Sequence, residues 1–299
     1  MFEGFERDRR QVNGVDINFV EGGSGTPLLL LHGYPQTHVL WHKVAAQLVD
    51  SYRLVVPDMR GYGDSSKPTA APGDHTVYCK RTLAEDMVAL LDDLDITACH
   101  VVGHDRGVRV GHRLALDCPE RVLSLTSLDV VATQAVFDGM DAQLALAFFH
   151  WVLMRQPHPV PETLIGNSVK FYFDFLMERW CATEGAITPE AMAEYERCFC
   201  NQEAVNATVA EYRASELDLE HDQADRGRKL ACPVLVLWGG NTSKRPGWQT
   251  GKNMQVLDTW RQRAHEVRGK VLDCAHFVPE ERPDEVVAEL RAFLADIGA

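Results

Sequence analysis

The stretch ACHVVGHDRGVRVGHR, residues 98–113, decides how the rest of the chain is read. Val101 and Val102 suit a buried strand, Gly103 and Gly107 leave room for a tight turn, and Val108, Val110 and Leu114 continue with helical periodicity. The pattern predicts a strand-to-helix elbow with Asp105 at its centre. In the familiar G-x-S-x-G elbow a serine holds that place, whereas Gly103-His104-Asp105-Arg106-Gly107 puts a carboxylate there. A seryl hydroxyl attacks acyl carbons. A carboxylate at the positive end of a helix is better suited to displacing a leaving group from saturated carbon. The same residues also fit an ordinary crossover helix capped by Asp, so the choice rests on partners elsewhere.

Outward from the elbow, strands and helices alternate. Val12 to Val20 alternates around the turn signal Asn13-Gly14, which predicts an opening hairpin, and TPLLLL at 26–31 reads as a strand buried in mid-sheet. It runs into His32-Gly33-Tyr34-Pro35. A helix over 38–49, a strand over 53–56, the turn Asp58-Met59-Arg60-Gly61-Tyr62-Gly63-Asp64-Ser65 and a helix over 82–94 lead into the elbow. Beyond it, a strand over 122–128 closes on Asp129. Residues 132–224 are then helical and rich in aromatics, and strand periodicity resumes at 232–238. A helix near 255–264, a strand near 269–272 and a helix over 283–295 complete the chain. This order predicts one mostly parallel, doubly wound sheet, with the core at 1–131 and 225–299 and an inserted helical cap at 132–224.

The 299 residues are 45% apolar, ample for a sizeable core, and carry a formal net charge of −13. That field disfavours nucleic acid and anionic membrane as partners, but not a small anion drawn to local arginines. The start, MFEGFERDRR, lacks an apolar signal region, and the apolar stretch 144–154 is too short to span a bilayer, so a cytoplasmic location is expected. Eight scattered cysteines without C-x-x-C fit a reducing compartment, and no histidine cluster has zinc spacing, so neither metal nor cofactor is expected.

HGYP at 32–35, DMRGYGDS at 58–65, GHDRG at 103–107 and a late His276 together resemble the α/β-hydrolase fold. They do so in its branch of haloalkane dehalogenases, epoxide hydrolases and haloacetate dehalogenases, over nearly the whole chain. Asp-Arg instead of Asp-Trp at the elbow, a second arginine at 109 and the pair His150-Trp151 resemble the fluoroacetate/haloacetate dehalogenase family. The chain order nucleophile, acid, base then implies Asp105 as nucleophile and His276 as base. Two places are usual for the acid. The loop after Trp238 has no carboxylate before Asp258, whereas the strand over 122–128 ends on Asp129, which is therefore the expected partner of His276. As a bland alternative, Asp129 would cap the helix that enters the cap.

Arg106 and Arg109, three apart on the elbow helix, can share one face and grip a substrate carboxylate; a single arginine there could equally pair with a neighbouring acid. Related haloalkane dehalogenases hold halide with a Trp after the nucleophile. Here Arg106 takes that position, so the resemblance assigns the halide to His150, Trp151 and Tyr212, each of which could otherwise be cap core. Backbone N–H groups of Tyr34 and Arg106 would receive the oxyanion. The implied reaction is hydrolysis of haloacetates to glycolate and halide through an aspartyl ester, with a small haloacid as the only ligand. Monomer and homodimer both stay open. An epoxide hydrolase would use the same Asp105, Asp129 and His276 with two cap tyrosines, and a small-molecule receptor would use the fold without chemistry. Ala275 stands before His276 where many relatives carry Gly.

Overall fold

A computed structural model describes residues 1–241 and 255–298. Its eight strands are β1 (Glu6–Val12), β2 (Val15–Gly22), β3 (Thr26–Leu31), β4 (Tyr52–Pro57), β5 (Cys99–His104), β6 (Val122–Leu128), β7 (Val234–Gly239) and β8 (Val267–Leu272). They form one sheet in the order β1-β2-β4-β3-β5-β6-β7-β8. Pairings from β4 to β8 are all parallel, and only the β1–β2 hairpin and its junction with β4 are antiparallel. The predicted fold class is what the chain adopts.

The hairpin turn uses Asn13 at φ 46° and Gly14 at φ 77°, the left-handed pair a two-residue hairpin needs. Its first strand begins earlier than expected, at Glu6. Residues 6–11 are polar and mostly exposed, so no apolar rhythm announces the strand; its pairing with β2, Glu6 opposite Glu21 through Val12 opposite Val15, creates it.

Helices cover both faces. On one side α2 (Lys80–Asp93) and α3 (Arg106–Asp117) pack Leu83, Met87, Leu90 and Val108 against Leu29, Leu31 and Val101. On the other, α1 (His42–Leu48) and the last helix bury Val44, Leu48, Leu290 and Phe293 with the alternate residues Leu28, Leu30 and Val102. Side chains two apart share a face, which is why these near-continuous apolar strands supply both layers. The start of the expected helix over 38–49 is a 3₁₀ turn, His38–Trp41.

Between β6 and β7 there are eight helices and no strand. They are α4 (Thr133–Asp138), α5 (Ala142–Ala147), α6 (Phe149–Met154), α7 (Val160–Gly166), α8 (Val169–Trp180), α9 (Pro189–Phe199), α10 (Gln202–Arg213) and α11 (Ser215–Ala224). The remaining helices are α12 (Val256–Arg261), α13 (Val278–Glu281) and α14 (Pro283–Asp296). Among the described residues no helix is long and apolar enough to cross a membrane. Most of the loop weighed as a site for the catalytic acid, residues 242–254, lies outside the described residues.

Candidate active site

The functional side chains gather at the carboxyl ends of the parallel strands, where open α/β sheets bind ligands. β5 is buried along its whole length and delivers Asp105 at φ 44°, ψ −112°, a conformation that L-residues rarely adopt. Such a turn lifts the carboxylate clear of the strand at the start of α3. Two glycines make room for it. A Cβ on Gly107 would lie 2.3 Å from the carbonyl oxygen of Leu31, and one on Gly33 would lie 2.6 Å from Cβ of Asp105. The elbow is pinned sideways by the Asp105 N–H, which donates to Leu128 O at 3.3 Å.

Asp129 follows β6 directly, also with a left-handed φ of 54°. Its Oδ2 lies 2.7 Å from Nδ1 of His276, and its Oδ1 accepts the Gly239 N–H at 2.9 Å. The imidazole is therefore held by a fully buried carboxylate that is itself fixed to β7. The backbone of His276 is tied on both sides: its N–H donates to Trp180 O at 3.0 Å, and its carbonyl accepts from Nε2 of His104 at 2.7 Å. Ala275 does not adopt a left-handed conformation, so the departure from Gly puts no strain on this loop.

The HGYP segment wraps over Asp105. The Tyr34 N–H donates to Oδ2 of Asp105 at 3.2 Å. Arg106, the other expected oxyanion donor, opens α3 directly after Asp105. His32 has a structural task, with Nδ1 donating to Gly33 O at 3.0 Å and Nε2 accepting the Met59 N–H at 3.0 Å. Asp58 anchors the second loop by accepting from the His38 N–H and Asn18 Nδ2, both at 2.8 Å. Burial alone would raise its pKa, but the His38 contacts and the neighbouring His32 hold it below the ordinary carboxylate range. The two motifs thus shape the floor of the site.

From the cap, α6 and α10 bring His150, Trp151 and Tyr212 over the elbow. The Tyr212 ring lies 5.7 Å from both the His150 and the Trp151 rings, and 5.2 Å from Tyr34. Among the described residues neither Trp151 Nε1 nor Tyr212 OH has a hydrogen-bond partner, and the buried Nδ1 of His150 has none either. Burial lowers the His150 pKa to about 3 despite the nearby negative charge of Asp105, so at neutral pH it is an uncharged ring with one N–H to give. For Asp105, burial works upward, yet its electrostatic interactions with His276, His104, Arg106 and Arg109 bring its pKa down to about 2. Asp105 is therefore an anion across the physiological range.

The two arginines differ. Arg106 is not the free fork that its spacing suggests. Its Nε donates to Oε1 of Glu211 at 2.8 Å and its Nη2 to the Glu211 carbonyl at 3.3 Å, so its plane is fixed by the residue preceding Tyr212. Burial opposes its charge, but the Glu211 carboxylate more than compensates and raises its pKa. Arg109 donates from Nη1 to Thr133 Oγ1 at 2.5 Å and lies over the Trp151 ring at 4.9 Å. No carboxylate among the described residues pairs with it, its buried Nε has no partner, and burial together with Arg106 lowers its pKa to about 10.

Two contributors went unassigned in the sequence reading. Trp180 packs at 5.4 Å from His276 and 4.7 Å from His150, and Glu211 holds Arg106. Neither carries a local signal; each is one of many aromatics or acids on the cap helices. Among the described residues the one group at metal-binding distances is Cys79, Asp218 and His221. Asp218 already accepts the Lys80 N–H at 2.6 Å and lies 3.8 Å from the Lys80 ammonium, a setting hostile to a cation.

With this geometry, the comparisons with known proteins agree on the fold. A family profile for the alpha/beta hydrolase fold matches residues 26–283. A fluoroacetate dehalogenase from Burkholderia sp is 41% identical over 298 residues, covering 99% of this chain and 96% of that protein. A soluble epoxide hydrolase from Corynebacterium sp. (strain C12) is 30% identical and covers 96% of each. A crystallised chain from Nostoc sp PCC 7120, described as an alpha/beta hydrolase, superposes with a TM-score of 0.94 at 45% identity, over 98% of this chain and 99% of that one. The profile and the full-length identity together show that the chain belongs to the α/β-hydrolase family, within its fluoroacetate/haloacetate dehalogenases.

Proposed function

We propose that the protein hydrolyses haloacetates such as fluoroacetate and chloroacetate to glycolate and halide, with residues 132–224 acting as the lid. The observation that carries this reading is Arg109, a buried guanidinium beside the nucleophile with no carboxylate on it among the described residues. An unpaired buried charge is expensive, and a substrate carboxylate relieves that cost on binding. An epoxide, being neutral, would leave it uncompensated.

The reaction takes two steps. Asp105 attacks the α-carbon; a C–O bond forms, the carbon–halogen bond breaks, and its electron pair leaves with the halide. His150, Trp151 and Tyr212 donate to the departing anion, where charge develops in the transition state. His276 then takes a proton from water, whose oxygen adds to the ester carbonyl while Asp129 steadies the imidazolium. The Tyr34 and Arg106 N–H groups receive the oxyanion. Collapse breaks the bond between the ester carbonyl carbon and the glycolyl oxygen, the His276 imidazolium gives its proton to the departing alkoxide to complete glycolate, and the Asp105 carboxyl, now holding the water oxygen, loses its proton to solvent. Water and this chain's own side chains suffice.

Arg109→Leu tests the reading. Loss of a charge-assisted contact worth about 1.5–3 kcal/mol should lower kcat/KM for chloroacetate roughly ten- to hundredfold. Unchanged kcat/KM, or faster turnover of styrene oxide than of any haloacetate by the unaltered protein, would refute it.

A further inference from the structure

The network behind Arg106 has a consequence for which acids can bind. Glu211 is fully buried and holds three partners: Oε1 accepts from Arg106 Nε at 2.8 Å and from Lys80 Nζ at 2.5 Å, and Oε2 accepts from Tyr62 OH at 2.5 Å. Lys80 is shared with Asp218 at 3.8 Å. Although burial pushes its pKa up, Arg106 and Lys80 bring Glu211 down to about 2, so it is an anion throughout the working pH range. Two arginines face the nucleophile, yet Glu211 already meets the charge of one. Arg106 retains Nη1 as a hydrogen-bond donor, while Arg109 keeps an unmatched charge among the described residues.

We propose that Glu211 sets the charge of the acid that the site accepts: by neutralising Arg106 and fixing its plane, it leaves one unmatched cation, so that monocarboxylates are selected over dicarboxylates. This rests on the carboxylate-binding reading above. Glu211 does not touch the substrate; it is a positioning residue acting through Arg106. A second negative charge would find no free cation in the described site and would face Asp105 and Glu211 instead. Coulomb energies between charges a few ångströms apart in a buried site are large enough to change affinity tenfold or more.

The test uses two unreactive anions of nearly equal size, glycolate with one carboxylate and oxalate with two, titrated calorimetrically at pH 7.5. The unaltered protein should bind glycolate more tightly than oxalate. Glu211→Gln keeps the shape and, through its amide oxygen, the bonds from Arg106 and Lys80, turns the Tyr62 contact round so that the amide NH2 donates to the phenol oxygen, and removes the charge; it should shift the oxalate-to-glycolate affinity ratio at least tenfold towards oxalate. Equal weakening of both ligands in a folded variant would mean that Glu211 is merely structural and would overturn the proposal. Binding of neither ligand by the unaltered protein would overturn the carboxylate site itself, and this inference with it. Should Glu211→Gln fail to fold, Lys80→Met supplies the opposite sign. It removes a cation from Glu211, so the ratio should move towards glycolate, and an unchanged ratio refutes the idea equally.

Discussion

His276→Asn should release about one halide ion per active site and then stop. Alkylation of Asp105 needs only the carboxylate, which its surroundings keep ionised with a pKa of about 2, and the donors that receive the halide. Hydrolysis of the ester needs a base for water, and Asn cannot serve as one. Asn can still donate towards Asp129, now 2.7 Å from the His276 ring, so the buried carboxylate keeps a partner and the fold should survive. Turnover should fall by at least a thousandfold, consistent with general acid–base catalysis plus loss of the second half-reaction. Intact mass spectrometry should show the protein heavier by one carboxymethyl group. Sustained turnover near the normal rate would remove His276 from the base role. A missing halide burst would show that it also serves the first step.

Trp151→Phe should separate fluoride from the larger halides. Fluoride leaves carbon reluctantly and is a compact, strongly hydrogen-bonding anion, so its departure depends on donors already in place where charge develops. Nε1 of Trp151 has no partner among the described residues, and the ring packs beside Tyr212 and beneath Arg109. Phe preserves an aromatic face for the Arg109 guanidinium and deletes only the indole donor. Loss of one such donor costs on the order of 3 kcal/mol, about a hundredfold in rate. Chloride and bromide need less of this help. Fluoroacetate kcat should therefore drop about a hundredfold and chloroacetate kcat much less, measured as halide release by ion chromatography. Equal losses on the two acids would make Trp151 a packing residue.

Legibility in the sequence followed locality. The elbow could be read because strand, turn glycines and helix lie within sixteen residues, 98–113, and each makes its own demand on the backbone. Asp129 could be read because a strand end is a local event, and the structure sets it 2.7 Å from a histidine 147 positions away. Strand β1 could not, since an exposed charged edge strand exists through its pairing with β2 and not through any apolar rhythm. Arg106 shows the same limit in the site. Its spacing from Arg109 indicated a shared helix face, but the acid that claims it lies 105 positions away on α10. The cap read as one helical tract, whereas eight short helices fill it, and only their folding places Trp180 against His276. Alternation and turn chemistry are written locally; which buried charge meets which is decided by packing.

A single turnover of fluoroacetate in ¹⁸O-labelled water tests the covalent account most directly. Water adds to the carbonyl carbon of the ester, so after one turnover the label should reside in the carboxylate of Asp105, found by peptide mass spectrometry, while the glycolate released carries unlabelled oxygen from the enzyme. Label confined to glycolate, with Asp105 unlabelled, would mean that water attacks the substrate carbon directly and would contradict the aspartyl ester on which the whole mechanism depends.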